Sequence, residues 1–267
     1  MSMSAGNALL WSIEAGPASP ASYLFGTMHS ASPASQQFVP RVEPYILGCS
    51  AFYGETDIGQ LLETSLPAPP LEWKGLKSLL APPSYAKARH FLEKWQGLDL
   101  DALQYLPPLF IPALIHEKYL SRSGGDPLDI RLWHLAKRAG LETGGVESLE
   151  RQLEIYQKIP FRIQLLQVKA QMKSLSASFR QLKRLEEAYA HEDLTHLYKL
   201  SRRQLNGMRR LMIDQRNREM TAFIKNILVK GGPPVFFALG AAHLPGSKGI
   251  LRMLKAAGFA LRPVSLM

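Results

Sequence analysis

Two short peptides near opposite ends of the chain share one plan: Leu24-Phe25-Gly26-Thr27-Met28-His29 and Ala238-Leu239-Gly240-Ala241-Ala242-His243. Each is an apolar, strand-like segment, a glycine, two small or apolar residues and a histidine. In α/β folds, ligands gather beyond the C-terminal ends of strands. Two such ends side by side would bring the imidazoles of His29 and His243 together, with Gly26 and Gly240 letting the backbone turn tightly. Glu55 is the first charge after the apolar run 45–53, which gives it the same strand-exit placement, and Asp57 follows two residues on. His29, His243 and Glu55 form a sufficient donor set for a divalent ion, Mn, Co or Zn, with an open position for water. Such an ion polarises a carbonyl and acidifies its bound water, and a second carboxylate then takes the water proton. Glu147, after Gly144-Gly145, is the candidate base, and it could exchange roles with Glu55. Arg216 sits in a helix whose Met212, Met220 and Ile224 mark a core-facing side. Its guanidinium could clamp a substrate carboxylate or stabilise an oxyanion; the alternative is an ion pair that holds the helices on the sheet.

Strands and helices must alternate to place these groups. Residues 9–13 and 22–25 read as strands joined by an Ala/Ser/Pro/Gly stretch, and residues 15–40 carry no formal charge, as expected of a site wall. Residues 235–239 are the most strand-like segment, and a short helix (249–257) and a closing strand (259–266) follow. A helix starts at 59–66. Residues 140–145 read as a turn-rich connector. In 128–139, Leu128, Leu132, Leu135 and Ala136 share a face; 162–198 reads as two helices with Phe179, Leu182 and Leu185 on an apolar side; 206–228 continues helical. The expectation is an α/β fold: a mixed sheet flanked by helices, one domain over 1–267, with a large helical insertion at 71–228 interrupted by the Glu147 segment.

Composition narrows the function classes. The 267 residues are 46% hydrophobic and 20% charged, as in soluble globular proteins. A single cysteine excludes intrachain disulfides and thiolate-rich zinc sites. The string Ile46-Leu47-Gly48-Cys49 looks like a lipoprotein box, but no basic and apolar lead precedes it, so Cys49 reads as a buried thiol at the end of a strand. Residues 1–10 lack the charge and apolar run of a signal peptide, and nothing approaches the ~20 apolar residues of a membrane span. The chain as given reads as soluble and cytoplasmic, or periplasmic or secreted if a leader was removed. Lys and Arg number 32 against 22 acids, a net charge of +10. The basic doublets Lys183-Arg184, Arg202-Arg203 and Arg209-Arg210 interleave with acids, which fits a solvated helical face that could touch an anionic surface. No specific nucleic-acid motif is present. His90, His116, His134, His191 and His196 lack ligand spacing. The zincin, serine-hydrolase and nucleotide-binding signatures are all missing.

In order along the chain, several motifs resemble the TraB/PrgY/GumN family, which includes the Tiki metalloproteases. The opening signature is Leu10-Trp11-Ser12-Ile13-Glu14, then Tyr23 to Ser30. Glu55-Thr56-Asp57, Gly144-Gly145-Val146-Glu147-Ser148 with Gln152, Ala188-Tyr189, Asp193-Leu194 and Arg216-Asn217 with Met220 follow. Phe237 to Leu244, Gly246, Gly249, Leu254 and Gly258 close it. Tyr189 stands where tryptophan is usual, His191-Glu192 where a glycine is usual, and Ser148 where threonine is usual. The resemblance implies an EreA/ChaN-like fold and, by analogy with Tiki, a metal-dependent hydrolase acting on peptides or another small-molecule substrate. It carries His29, Glu55, Glu147, Arg216 and His243 over as site residues, with His29, Glu55 and His243 on the metal. Haem or small-ligand binding through the same histidines, and a non-catalytic regulatory role, are the alternatives. Many bacterial members carry a leader or lipid anchor.

Overall fold

The structure is a computed structural model that describes residues 8–16, 19–63, 67–205 and 207–266. The readings of residues 1–10, 59–66 and 206–228 fall partly outside this set. Six strands form one mixed sheet: β1 (Leu10–Glu14), β2 (Ser22–Thr27), β3 (Ala51–Thr56), β4 (Glu142–Glu147), β5 (Val235–Gly240) and β6 (Ala260–Val264), in the order β4-β3-β5-β2-β1-β6. The four strands β4, β3, β5 and β2 run parallel, and β1 is antiparallel to both β2 and β6. In a parallel sheet both faces are covered, so the inner strands are continuously apolar. Val235, Phe236, Phe237, Ala238 and Leu239 of β5 are all buried accordingly. The Phe236 ring stacks on Phe52 of β3 at 5.8 Å. At the sheet's rim, β6 is mostly exposed and carries Pro263, a residue tolerated at an edge because it has no N–H to donate.

Helices cover both sheet faces. The helix Leu128–Arg138 buries Leu128, Leu132, Leu135 and Ala136, the face expected from spacing, together with Trp133. Phe179, Leu182 and Leu185 are buried in Leu175–Ala190 as expected. The stretch 162–198 is shared by three helices, not two: Phe161–Lys173, Leu175–Ala190 and Leu194–Gln204. The break before Leu194 lies at Glu192, which has φ +54°. That is left-handed backbone, which explains why a glycine suits this position. No helix among the described residues is long and apolar enough to cross a membrane.

Two further segments differ from expectation. The apolar run 45–53 is split between the helix Val39–Leu47 and β3. Val39, Val42 and Ile46 are buried at helical spacing, and Gly48 caps the helix. Cys49 therefore precedes a strand instead of ending one; its Sγ–H lies 3.2 Å from the Tyr45 carbonyl oxygen, and burial pushes the thiol up to about 12. The connector 140–145 is mostly β4. Gly144 and Gly145 serve close packing there: a Cβ on Gly145 would lie 2.4 Å from the amide nitrogen of Asp57, and one on Gly144 would lie 3.0 Å from the Tyr53 ring.

Candidate active site

The parallel strands deliver their C-terminal ends to one edge of the sheet, with Thr27 opposite Gly240 and Thr56 opposite Glu147. The glycines of the two repeated motifs serve close approach there, not the tight turn expected of them, since neither has a positive φ. A Cβ on Gly26 would lie 3.2 Å from Ala241, so β2 packs directly on the turn that follows β5. A Cβ on Gly240 would lie 3.0 Å from Glu55 Oε2. The backbone N–H of Gly240 donates to that same oxygen at 3.0 Å. Any larger residue at 240 would push the carboxylate off this donor.

Arg216 lies between two carboxylates. Its Nε and one terminal nitrogen donate to Glu147 Oε2 at 2.9 and 2.7 Å, and the same terminal nitrogen pairs with Glu55 Oε1. Arg216 and Glu147 are buried, and Glu55 is partly exposed. Burial opposes the guanidinium charge, yet Glu55 and Glu147 raise its pKa above the ordinary value. Burial alone would likewise raise Glu55, but Arg216 and the Gly240 amide hold its carboxyl down to about 2. Glu147 Oε1 is buried without a hydrogen-bond partner. A buried carboxylate oxygen in that state is costly unless something else reaches it.

His243 is fixed by Asn217. The Asn217 amide nitrogen donates to the carbonyls of His243 and Lys248 at 3.2 and 2.7 Å. Its oxygen must therefore be the acceptor that faces His243 Nδ1 at 2.6 Å. That bond places the ring proton on Nδ1 and leaves a lone pair on Nε2. Burial pushes the imidazole down to about 4, with Glu55 opposing and Arg216 assisting, so the ring is neutral. Nε2, the unprotonated nitrogen, then lies 3.8 Å from Glu55 Oε2, another acceptor.

His29 occupies a different setting. It is half-exposed, and its Nδ1 pairs with Asp129 at 2.9 Å, with Glu117 4.0 Å from Nε2. Burial would lower this imidazole, but the hydrogen bond with Asp129 and the nearby Glu117 carboxylate outweigh it and carry the pKa up to about 10. His29, Glu55, Asp129, Gln152 and Gly240 line one cavity of about 230 Å³. The structure thus brings Glu55, Glu147, Arg216 and His243 together and sets His29, with partners of its own, on a cavity that it shares with Glu55. Among the described residues, no three His, Cys, Asp or Glu side chains cluster as a metal site. For a divalent cation, the facing pair Glu55 Oε2 and His243 Nε2 has the right donor chemistry; His29 does not join them in this arrangement.

Asp129, Asn217 and Gln152 also contact the site residues. Gln152 donates to Thr56 Oγ1 at 3.1 Å and lies 3.4 Å from Glu55 Oε1. Asn217 and Gln152 stand within the family-like motifs, which was their only signal. Asp129 resembles any first-turn helix acid.

Fold and site together define an α/β protein with a buried, charge-paired polar centre at the carboxyl edge of its parallel strands. The chain matches the TraB/PrgY/gumN family over residues 9–263 and belongs to that family. It is similar to the metalloprotease TIKI2 of Danio rerio, with 25% identity over an alignment of 317 positions that covers 95% of this chain. The chain spans 60% of the length of that relative. No solved structure matches.

Proposed function

We propose that this protein is a metal-dependent hydrolase, most simply a peptidase, with its centre at Glu55, Glu147, Arg216 and His243. The observation that carries this reading is the facing pair of acceptors, Glu55 Oε2 and neutral His243 Nε2, 3.8 Å apart. Two lone pairs so placed repel unless a cation or a proton donor lies between them. Glu55 and His243 would hold the divalent ion, and Asn217 fixes the ring as a histidine ligand requires. When bound, the ion supplies electrophilic polarisation of a carbonyl and acidification of water.

The remaining chemistry belongs to the chain's own groups. Glu147 Oε1, buried and unpartnered, is the proton acceptor for the attacking water. Arg216 pairs with both Glu147 and Glu55 and holds Glu55 ionised, and its charge favours an oxyanion forming beside it. His29 stands across the cavity on Asp129 and delivers a proton to the leaving group. The similarity to a metalloprotease supports the choice of peptide bonds.

The test is cleavage of unfolded casein and quenched fluorescent peptides by purified protein. Mn²⁺, Co²⁺ or Zn²⁺ is added in turn, with and without chelator. Chelator-sensitive cleavage should fall at least ~100-fold in Glu55→Gln and His243→Ala. Cleavage that survives both substitutions, or no cleavage with any metal, overturns the reading.

A further inference from the structure

A second cavity, of about 250 Å³, lies against the proposed centre. Its walls come from the helices Phe110–Leu120, Leu149–Gln157 and Phe161–Lys173, the end of Leu194–Gln204 with the loop after it, and a π-helical turn, Arg210–Gln215. None of its lining residues is Asp, Glu, Lys or Arg. Granting the hydrolase reading above, we infer that this cavity receives one large apolar side chain of a peptide substrate, adjacent to the bond that the Glu55–His243 centre acts on.

Two walls of the cavity are continuous with the centre. On Leu149–Gln157, Gln152 reaches Thr56 and Glu55, and Tyr156, four residues on and so on the same helix face, lines the cavity. On the π-helical turn, Met212 lines the cavity while its carbonyl accepts from Arg216 at 3.4 Å. Each wall thus passes from the charged centre to the apolar cavity in one helical turn, ~5.4 Å. An extended peptide advances ~3.3–3.6 Å per residue. The side chain that enters is therefore within one or two residues of the scissile bond.

The lining suits that occupant. Pockets for whole drug-sized ligands run to ~300–1,000 Å³, so this one fits a single side chain. Tyr156 and Phe110 form an edge-to-face pair, centroids 5.7 Å apart, as a rigid aromatic wall. Met208 and Met212 are unbranched thioethers that adapt to varied shapes. Its polar residues, Gln167, Gln204 and His116, are uncharged; His116 has its Nε2 on Ser178 Oγ at 3.0 Å, and burial pushes its imidazole down to about 4. A charged side chain entering here would lose its hydration without finding an ionic partner. π-helical turns recur at functional sites, and this one leads straight into Arg216.

The probe is the protein labelled with ¹³C at the methionine methyls, with Met208 and Met212 assigned through M208L and M212L. N-acetyl-leucine amide and N-acetyl-phenylalanine amide should shift both methyls; N-acetyl-aspartate amide should not. Ala113→Trp, at an exposed position on the cavity rim, should abolish the shifts, and Ala113→Leu should weaken them if the tryptophan variant does not fold. In parallel, peptides varied on either side of the cleaved bond should show a ~10–100-fold preference for Leu or Phe over Asp or Lys at one position. That preference should be lost in Ala113→Trp. Methyl shifts without cleavage of any peptide keep the cavity assignment and overturn the hydrolase reading. Cleavage without methyl shifts or apolar preference, or shifts indifferent to both Ala113 substitutions, overturns the cavity assignment.

Discussion

The two Gly-x-x-His motifs are alike on paper and opposite in space. Both end neighbouring parallel strands. After β5 the chain winds into a short turn, Ala241–His243, which carries His243 inward onto Asn217. After β2 the chain runs outward, and His29 finds Asp129 and Glu117 near solvent. One imidazole is held neutral, down to about 4, and the other protonated, up to about 10. Sequence symmetry has produced a Lewis-basic ring buried behind Glu55 and an acidic one on the cavity that Glu55 also lines. What separates them is burial, which lowers His243 where it sits on Asn217, against the two carboxylates that raise His29 near the surface.

The largest expected effect follows from breaking the inner side. Arg216→Met removes the one cation between Glu55 and Glu147 and leaves buried carboxylates uncompensated. Stability should fall by about 3–5 kcal/mol, the usual cost of orphaning a buried charge, as read by urea denaturation at neutral pH. His29, with separate partners, should titrate unchanged. A loss below about 1 kcal/mol would mean that Arg216 is not what holds the two carboxylates in place.

Asn217→Ala is the next step down. It strips the Nδ1 partner from His243 and the amide donors from two carbonyls. About 1–3 kcal/mol should be lost, and peptide cleavage should drop ~10–100-fold because the ring is no longer oriented. Equal activity in the variant would show that His243 needs no fixed tautomer.

The strand ends were legible because chemistry and burial coincide there. The apolar run of β5 and the glycine that follows cannot be read otherwise, and Arg216 stood out as a charge on a core-facing helix side. Three things were hidden. Proximity between glycines and distant atoms, such as Gly26 with Ala241 or Gly145 with Asp57, leaves no local pattern, so these glycines read as turns and β4 as a connector. The run 45–53 mixes helical and strand residues without a polar break, and only the helical burial of Val42 and Ile46 decides it. The contrast between His29 and His243 depends on Asp129, 100 residues away, and Asn217, 26 residues away, pairings that no spacing rule contains.

The smallest effect on stability should come from Asp129→Asn, and it is the sharpest test of the contrast. His29 is raised from 6.5 to about 10 in the folded protein. Its contribution is therefore fully present below pH 6.5 and lost as pH rises through about 10. His243 is lowered from 6.5 to about 4, so its contribution is present above pH 6.5 and lost as pH falls through about 4. The two histidines thus act on opposite flanks of the pH–stability curve. Asp129→Asn should pull the His29 titration, followed by its ring proton resonances, back toward the ordinary range and flatten the alkaline flank. The acid flank should keep its slope, because His243 and Glu55 have no contact with Asp129. The ring of His29 is 43% exposed, and solvent screening should keep the stability change at neutral pH below about 1 kcal/mol. A shift on the acid flank would show that the two sides of the cavity are electrostatically coupled and that the motifs act as one unit.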